Sequence, residues 1–194
     1  MKQAERSTQT KNAFSRALLT RLIDDELDDV SVADLARDCN LDRKTFYYHF
    51  DDVYALFDWT VHEMIREAGV ANLLREDPRR AITICADFVL SRPELAHALK
   101  SPMGRLHLKG CLASDIYAAV EYHLRHRESD AGVELESGYR SFLVVMLGHA
   151  VGETFVELAS GGIALSPKRF ADYLVATLRA TVDQVIATAE GGKR

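Results

Sequence analysis

The stretch Ser31–Leu56, SVADLARDCNLDRKTFYYHFDDVYAL, decides the fold of this chain. Ser31 is an N-cap, Asp34 favours the helix start three residues on, and Val32, Leu35, Ala36 and Cys39 recur at helical spacing. Asn40 follows where the backbone has to turn left-handed, which asparagine tolerates better than most side chains. Asp42 caps a second short helix, and Phe46 and Phe50 point back into a small core. The outer face is left with Arg43, Lys44, Thr45, Tyr47, Tyr48 and His49. Cations, hydroxyls and rings on one face of a short helix suit insertion into a DNA major groove, with phosphates gripped on either side.

On both sides of this stretch the chain reads as helix after helix. Phe14, Ala17, Leu18 and Leu22 form an apolar stripe that predicts a first helix over about Thr8–Glu26, preceded by a mobile arm over residues 1–7. A long fourth helix is expected over about Asp52–Arg75, its inner side made by Val53, Leu56, Phe57, Val61 and Met64. Asp77-Pro78 is a cap followed by proline at the first helical position, and Pro93 and Pro102 mark two further breaks. Helices over about Gly104–Arg127, Leu135–Ala159 and Pro167–Ala189 complete the chain, with a polar loop at Glu128–Val133 and Gly161-Gly162 before the last. No segment alternates with the period of a strand, and only four prolines interrupt 194 residues. The expectation is an all-α protein of about nine helices. A three-helix helix-turn-helix head (residues 1–51) is joined by the fourth helix to a helical ligand-binding and dimerisation body (residues 52–194).

Composition narrows the function. A net charge of −5 argues against indiscriminate coating of nucleic acid, whereas specific binding depends on where charge is placed. Lys2, Arg6, Lys11, Arg16 and Arg21 face Glu5 alone in the first 22 residues, while Asp24, Asp25, Glu26, Asp28 and Asp29 cluster next and are expected to face away from DNA. The N-terminal segment has no apolar signal core, and the longest apolar run, around Phe142–Val151, falls short of the roughly 20 residues that span a bilayer. Cys39, Cys85 and Cys111 lack CxxC spacing, as expected of reduced thiols. A cytoplasmic protein without a membrane partner is expected.

The helix-turn-helix with its YYHF ending resembles the DNA-binding domain of the TetR family of bacterial one-component transcription regulators. The close match runs from about Phe14 to Phe57, about a quarter of the chain, and the all-helical remainder is compatible with the family. FDDVYALFDW (Phe50–Trp59) is similar to a subgroup that includes regulators of dihydroxyacetone kinase genes. The resemblance implies a homodimer on a palindromic double-stranded operator, usually a repressor, with a pocket for an unidentified small-molecule effector. It also implies that Tyr47 and His49 clamp phosphates. On chemistry alone, Arg43 suits a bidentate contact to guanine, and Ser31 at a helix N-terminus suits a phosphate. Tyr48 is placed for a base or sugar, and Thr45 for a phosphate or a thymine methyl. One departure stands out: many members carry a lysine at the start of the fourth helix, where this chain has Val53 after Asp51 and Asp52, two carboxylates expected to cap the helix and point sideways. Either the basic arm compensates or operator affinity is modest, and an activator, or an adaptor working through protein contacts, is the alternative reading.

Other constellations carry less. His149/Glu153 and His107/Cys111 are spaced four apart, but two ligands do not make a site, so no metal and no cofactor are expected. No nucleophile motif, phosphate loop or carboxylate pair argues for an enzyme. Phe142, Met146, Gly148, Gly152 and Phe155 on one helix, and Phe170, Leu174, Leu178 and Val182 on the last, form stripes suited to a four-helix dimer interface. Trp59, His62, Phe88, His97, Met103, His107, Tyr117 and Phe142 are candidates for lining a largely apolar pocket.

Overall fold

The computed structural model describes residues 2–191. Among them are ten α-helices, one 3-10 turn and no strand. Helix α1 (Lys2–Arg21) begins earlier than its apolar stripe suggests, running through the segment read as an arm, and stops five residues sooner. Asp24, Asp25 and Glu26 would place three negative charges at the negative end of the helix dipole, so the chain turns there instead. A 3-10 turn (Leu27–Asp29) then buries Leu27.

Helices α2 (Val32–Asp38) and α3 (Arg43–His49) are capped as read from the sequence: Ser31 Oγ accepts from Asp34 N at 3.1 Å and Asp42 Oδ1 from Thr45 N at 2.8 Å. Between them Asn40 has φ 52°, Leu41 N donates to Ala36 O at 2.9 Å and Asn40 N to Arg37 O at 3.1 Å. This pair of bonds satisfies the last carbonyls of α2 and fixes the turn. Phe14 meets Phe46 edge to face at 5.2 Å, so α3 is anchored on α1 from its inner side.

Asp52 caps α4 (Val53–Ala68) through Ala55 N at 2.7 Å, the role its position suggests. The expected long helix is broken, however. Gly69 takes φ 64° and ends α4, and α5 (Val70–Glu76) starts in a new direction because glycine enters the left-handed region without a Cβ penalty. Asp77 caps α6 (Pro78–Leu90), and α7 (Pro93–Ala98) and α8 (Pro102–Ala131) likewise open on proline. Helix α8 overruns the stretch read as a polar loop. Glu128 is only 5% exposed, accepting from Leu135 N at 2.6 Å and from Arg140 Nε and Nη2 at 2.9 and 2.8 Å, and Gly132 at φ 64° ends the helix instead. Helices α9 (Ser137–Ala159) and α10 (Pro167–Gly191) follow close to their expected bounds.

One apolar cluster runs from Phe14, Leu18 and Phe46 through Leu56, Phe57 and Val61 to Leu95, Leu99, Leu108 and Val156. The head is therefore welded to the near end of the body through α4. Two further clusters fill the body, around Ile82, Ile116, Phe155 and Phe170, and around Leu124, Leu143 and Val182 at its far end. Helix α9 is long and apolar enough to cross a membrane by length and composition, but half of its most apolar window is buried against the rest of the fold.

Candidate nucleic-acid interface and the cavity behind it

Helix α3 has a sealed side and an open side. Phe46 and Phe50 close the core, whereas Tyr47 and Tyr48 are 59% and 78% exposed and Arg43 and Lys44 are exposed beside them. Among the described residues no hydrogen bond or ion pair holds the side chains of Arg43, Lys44, Tyr47 or Tyr48. Tyr47 touches the Phe46 ring at 5.6 Å and Tyr48 the His49 ring at 4.9 Å, and the polar ends of all four side chains are left to water or to a binding partner. His49 is half-buried, and burial, then the charge of Lys11, pushes its pKa below 6.5. It therefore offers a neutral ring with one N–H near pH 7.

Two of the expected contacts already have work to do. Ser31 Oγ donates to Asp34 Oδ2 at 2.6 Å while accepting from Asp34 N, and Thr45 Oγ1 donates to Asp42 Oδ1 at 3.2 Å. Each hydroxyl would have to turn away from a carboxylate to reach DNA. Arg21 is tied to Asp38 at 2.6 Å, with Asp25 and Asp34 nearby, and so braces α1 on α2. Lys11, read from the sequence only as one of five N-terminal cations, is the one at this spot: its Nζ lies 5.7 Å from the rings of both Phe50 and Trp59, near Val53 at the start of α4. No signal short of the folded helix pair would have singled it out from its basic neighbours.

Behind the head, α4 is pinned to α8. His107 Nδ1 lies 2.8 and 2.9 Å from the two carboxylate oxygens of Asp58, and Cys111 Sγ lies 3.5 Å from Oδ1. Burial, then the Asp58 carboxylate, pushes the Cys111 thiol up to about 12. The ring of Tyr54 stacks on His107 at 5.1 Å, and its hydroxyl donates to Asp28 of the head at 3.0 Å. The His107/Cys111 spacing noted in the sequence thus serves a hydrogen-bonded clasp.

The body encloses a cavity of about 630 Å³ between α4, α5, α6, α8, α9 and α10. Its walls are mainly apolar, among them Val61, Met64, Ile65, Ile82, Phe88 and Val151. Of the eight pocket residues expected from sequence, only Phe88 lines it. Trp59 packs on Phe50 at 5.8 Å, His62 and His97 bond within their own helical segments, and His107 belongs to the clasp. Tyr117 hydrogen-bonds His149 at 3.0 Å, Phe142 is 58% exposed, and Met103 lies outside the lining. Away from the lining, these aromatic and histidine side chains pack on other rings, bond to polar partners or face solvent. Leu108, Leu112, Asp115, Ala119 and His123 of α8 line the cavity instead, a helical stripe in which Asp115 is an acid among apolar neighbours. That interruption was readable.

The interface stripes divide in the same way. Phe155 and Phe170 meet edge to face at 5.0 Å inside the subunit, and Leu178 and Val182 line the cavity. Leu174 packs against the Phe155–Phe170 cluster. Gly148 and Gly152 are buried too, and a Cβ on Gly148 would overlap the Tyr117 ring. What α9 leaves outside is Tyr139, Phe142, Val145 and Met146, an exposed apolar row at helical spacing, with Tyr139 and Phe142 stacked at 6.3 Å.

The architecture is thus a helix-turn-helix head joined through α4 to a hollow helical body. No family model matches the chain, and no curated protein sequence does. Solved structures do. The dihydroxyacetone kinase operon activator DhaS superposes with a TM-score of 0.61 over 90% of this chain and 96% of its own, at 14% identity. The secondary repressor NalD of the MexAB-OprM multidrug efflux pump from Pseudomonas aeruginosa gives 0.57 over 90% and 96%, at 17% identity. The TetR-family repressor AlkX from a Dietzia strain, implicated in n-alkane biodegradation, gives 0.52 over 91% and 96%, at 17% identity. The chain has the TetR-family fold.

Proposed function

We propose that this protein is a ligand-responsive transcription regulator that binds a palindromic operator as a homodimer in the cytoplasm, acting as a repressor. The observation that carries the reading is the outer face of α3, where the side chains of Arg43, Lys44, Tyr47 and Tyr48 are exposed without a hydrogen bond or ion pair on a helix whose other side is locked by Phe46. Residues 1–51 act as the reader, and residues 52–194 as sensor and dimeriser. Arg43 reads a base, Tyr47 and His49 hold phosphates, and Ser31, Thr45, Lys44 and Tyr48 complete the contact surface. Two such heads about 34–36 Å apart meet successive major grooves. The exposed row Tyr139, Phe142, Val145 and Met146 supports pairing through α9.

The cavity supports the sensing role. Val61, Met64, Ile65 and Ala68 of α4 line it, while Leu56 and Phe57 of the same helix pack in the core shared with the head. A ligand that favours one tilt of α4 shifts the separation of the two readers by its difference in affinity for the two states, usually about 1–3 kcal/mol. A second reading, an activator or a protein-binding adaptor with reduced DNA affinity, is favoured by Val53 beside Asp51 and Asp52 and by the engaged hydroxyls of Ser31 and Thr45. Salt-dependent retardation of fragments from the gene's own upstream region tests both. Retention of a palindromic fragment, with affinity falling steeply as salt rises, is expected of the regulator. Indifference to every upstream fragment at low salt rejects it in favour of the adaptor.

A further inference from the structure

Asp115 sits in the wall of the body cavity, flanked on α8 by the lining residues Leu112, Ile116 and Ala119. Across from it on α6, Cys85 also lines the cavity, and burial followed by the charge of Asp115 pushes that thiol up to about 11. The thiol is therefore uncharged near neutrality and supplies no cation. Among the described residues the Asp115 carboxylate has neither a hydrogen bond nor an ion pair. The cavity's other ionisable groups gather at the end where α5, α8 and α10 converge. There Arg127 is bonded to Asp183 at 2.7 Å, His123 meets Leu74 O at 3.0 Å, His126 lies 3.9 Å from Asp130, and Arg75, Glu76 and Arg179 supply both signs. Asp115 lies about 12 Å from His123 along the helix axis, eight residues at 1.5 Å each. It is a lone acid in the apolar section.

A carboxylate in an apolar wall without a partner is stabilised by any cation brought to it, and a second anion beside it is repelled. The apolar walls accept a hydrophobic body of drug size. From this juxtaposition we infer that the effector is a lipophilic monocation, an apolar chain or ring system carrying one amine or quaternary nitrogen, whose positive centre sits on Asp115. The inference rests on reading this cavity as the effector site. It adds the sign of the ligand's charge and the residue that selects it.

Three probes that share a chain and differ in head group test the claim: dodecyltrimethylammonium, dodecanoate and 1-dodecanol, each titrated calorimetrically into the full chain below its micelle concentration. The cation should bind roughly 10- to 100-fold more tightly than the other two, the range of a hydrogen bond or contact to a charged group. Asp115→Asn should erase that preference while Asp115→Glu keeps it, with helical circular dichroism unchanged in both. Dodecanoate binding as tightly as the cation, an Asn variant that keeps the preference, or saturable binding of none of the three would each overturn the proposal. DNA is absent from these titrations, so their failure leaves the regulator reading standing. Conversely, a cation-selective cavity in a protein that ignores DNA would sink only that reading.

Discussion

Asp58 holds His107 through both carboxylate oxygens, at 2.8 and 2.9 Å, and so ties the helix entering the head to the longest helix of the body. The pair is partly exposed, so its net worth is modest, but Cys111 and Tyr54 lean on the same two residues. Asp58→Asn keeps the volume and removes the charge. We expect a loss of about 1 kcal/mol in a denaturant titration. Amide exchange should also quicken along α4 near the substitution. Unchanged exchange there would mean that the neighbouring apolar contacts alone hold α4 to α8.

Arg43 and Tyr47 are both exposed on α3 yet are assigned different tasks. Arg43→Ala should relax preference at one position of each half-site and cost about 1–3 kcal/mol on the preferred sequence. Tyr47→Phe should weaken binding to all sequences alike, because a phosphate contact carries no base information. Binding-site selection on the two variants separates the roles. A changed consensus for Tyr47→Phe would refute the phosphate assignment.

Lys11 stands over Phe50 and Trp59 at the C-terminal edge of α3. If it replaces the charge lacking at Val53, Lys11→Gln should lower the slope of log affinity against log salt by about one. An unaltered slope would leave that end of α3 without a phosphate-facing cation.

Asn40 is the only described non-glycine residue with positive φ, at 52°. Asn40→Gly should be neutral or slightly stabilising because it removes the Cβ, whereas Asn40→Ala should lower stability by roughly 1 kcal/mol because it keeps the Cβ and loses the polar amide that lets asparagine tolerate the left-handed region. Thermal melts of the two variants should bracket the parent. Equal melts would show that the turn relaxes freely.

Glu128 is the buried acid of the body, and the hydrogen bond from Arg140 holds its pKa below the ordinary 4.5, against the opposing effect of burial. Because the folded value is depressed, this stabilisation is present above pH 4.5 and is lost as pH falls through the lower folded value. Denaturation midpoints taken from pH 7 downward should show an acid limb that flattens in Glu128→Gln, whose stability at pH 7 is also reduced. Parallel acid limbs in parent and variant would contradict this account.

Local rules carried the head almost completely. Caps at Ser31, Asp42 and Asp52, the left-handed Asn40 and inward Phe46 depend on residues close in sequence, and each is found in place. The body was legible as helices and illegible as a cavity. Which face of α8 or α10 turns inward depends on partners fifty or more residues away, as Arg127 with Asp183 shows. Hydrophobicity could not rank Phe142 outside and Phe155 inside, since both sit on one strongly apolar helix and only packing distinguishes them. Gly69 was a readable break left unread, because the apolar pattern continued across it.

That break also fixes how long an arm α4 offers to the proposed sensing motion. With α4 ending at Ala68 and clasped at Asp58, a rigid tilt of this helix about the clasp would have its pivot five residues from one tip and ten from the other. At 1.5 Å per residue the arms are about 7.5 and 15 Å. In the proposed regulator, a push at the hollow end would reach α3 reversed in direction, halved in travel and doubled in force, a gearing suited to prying loose a grip rather than sweeping a long arc.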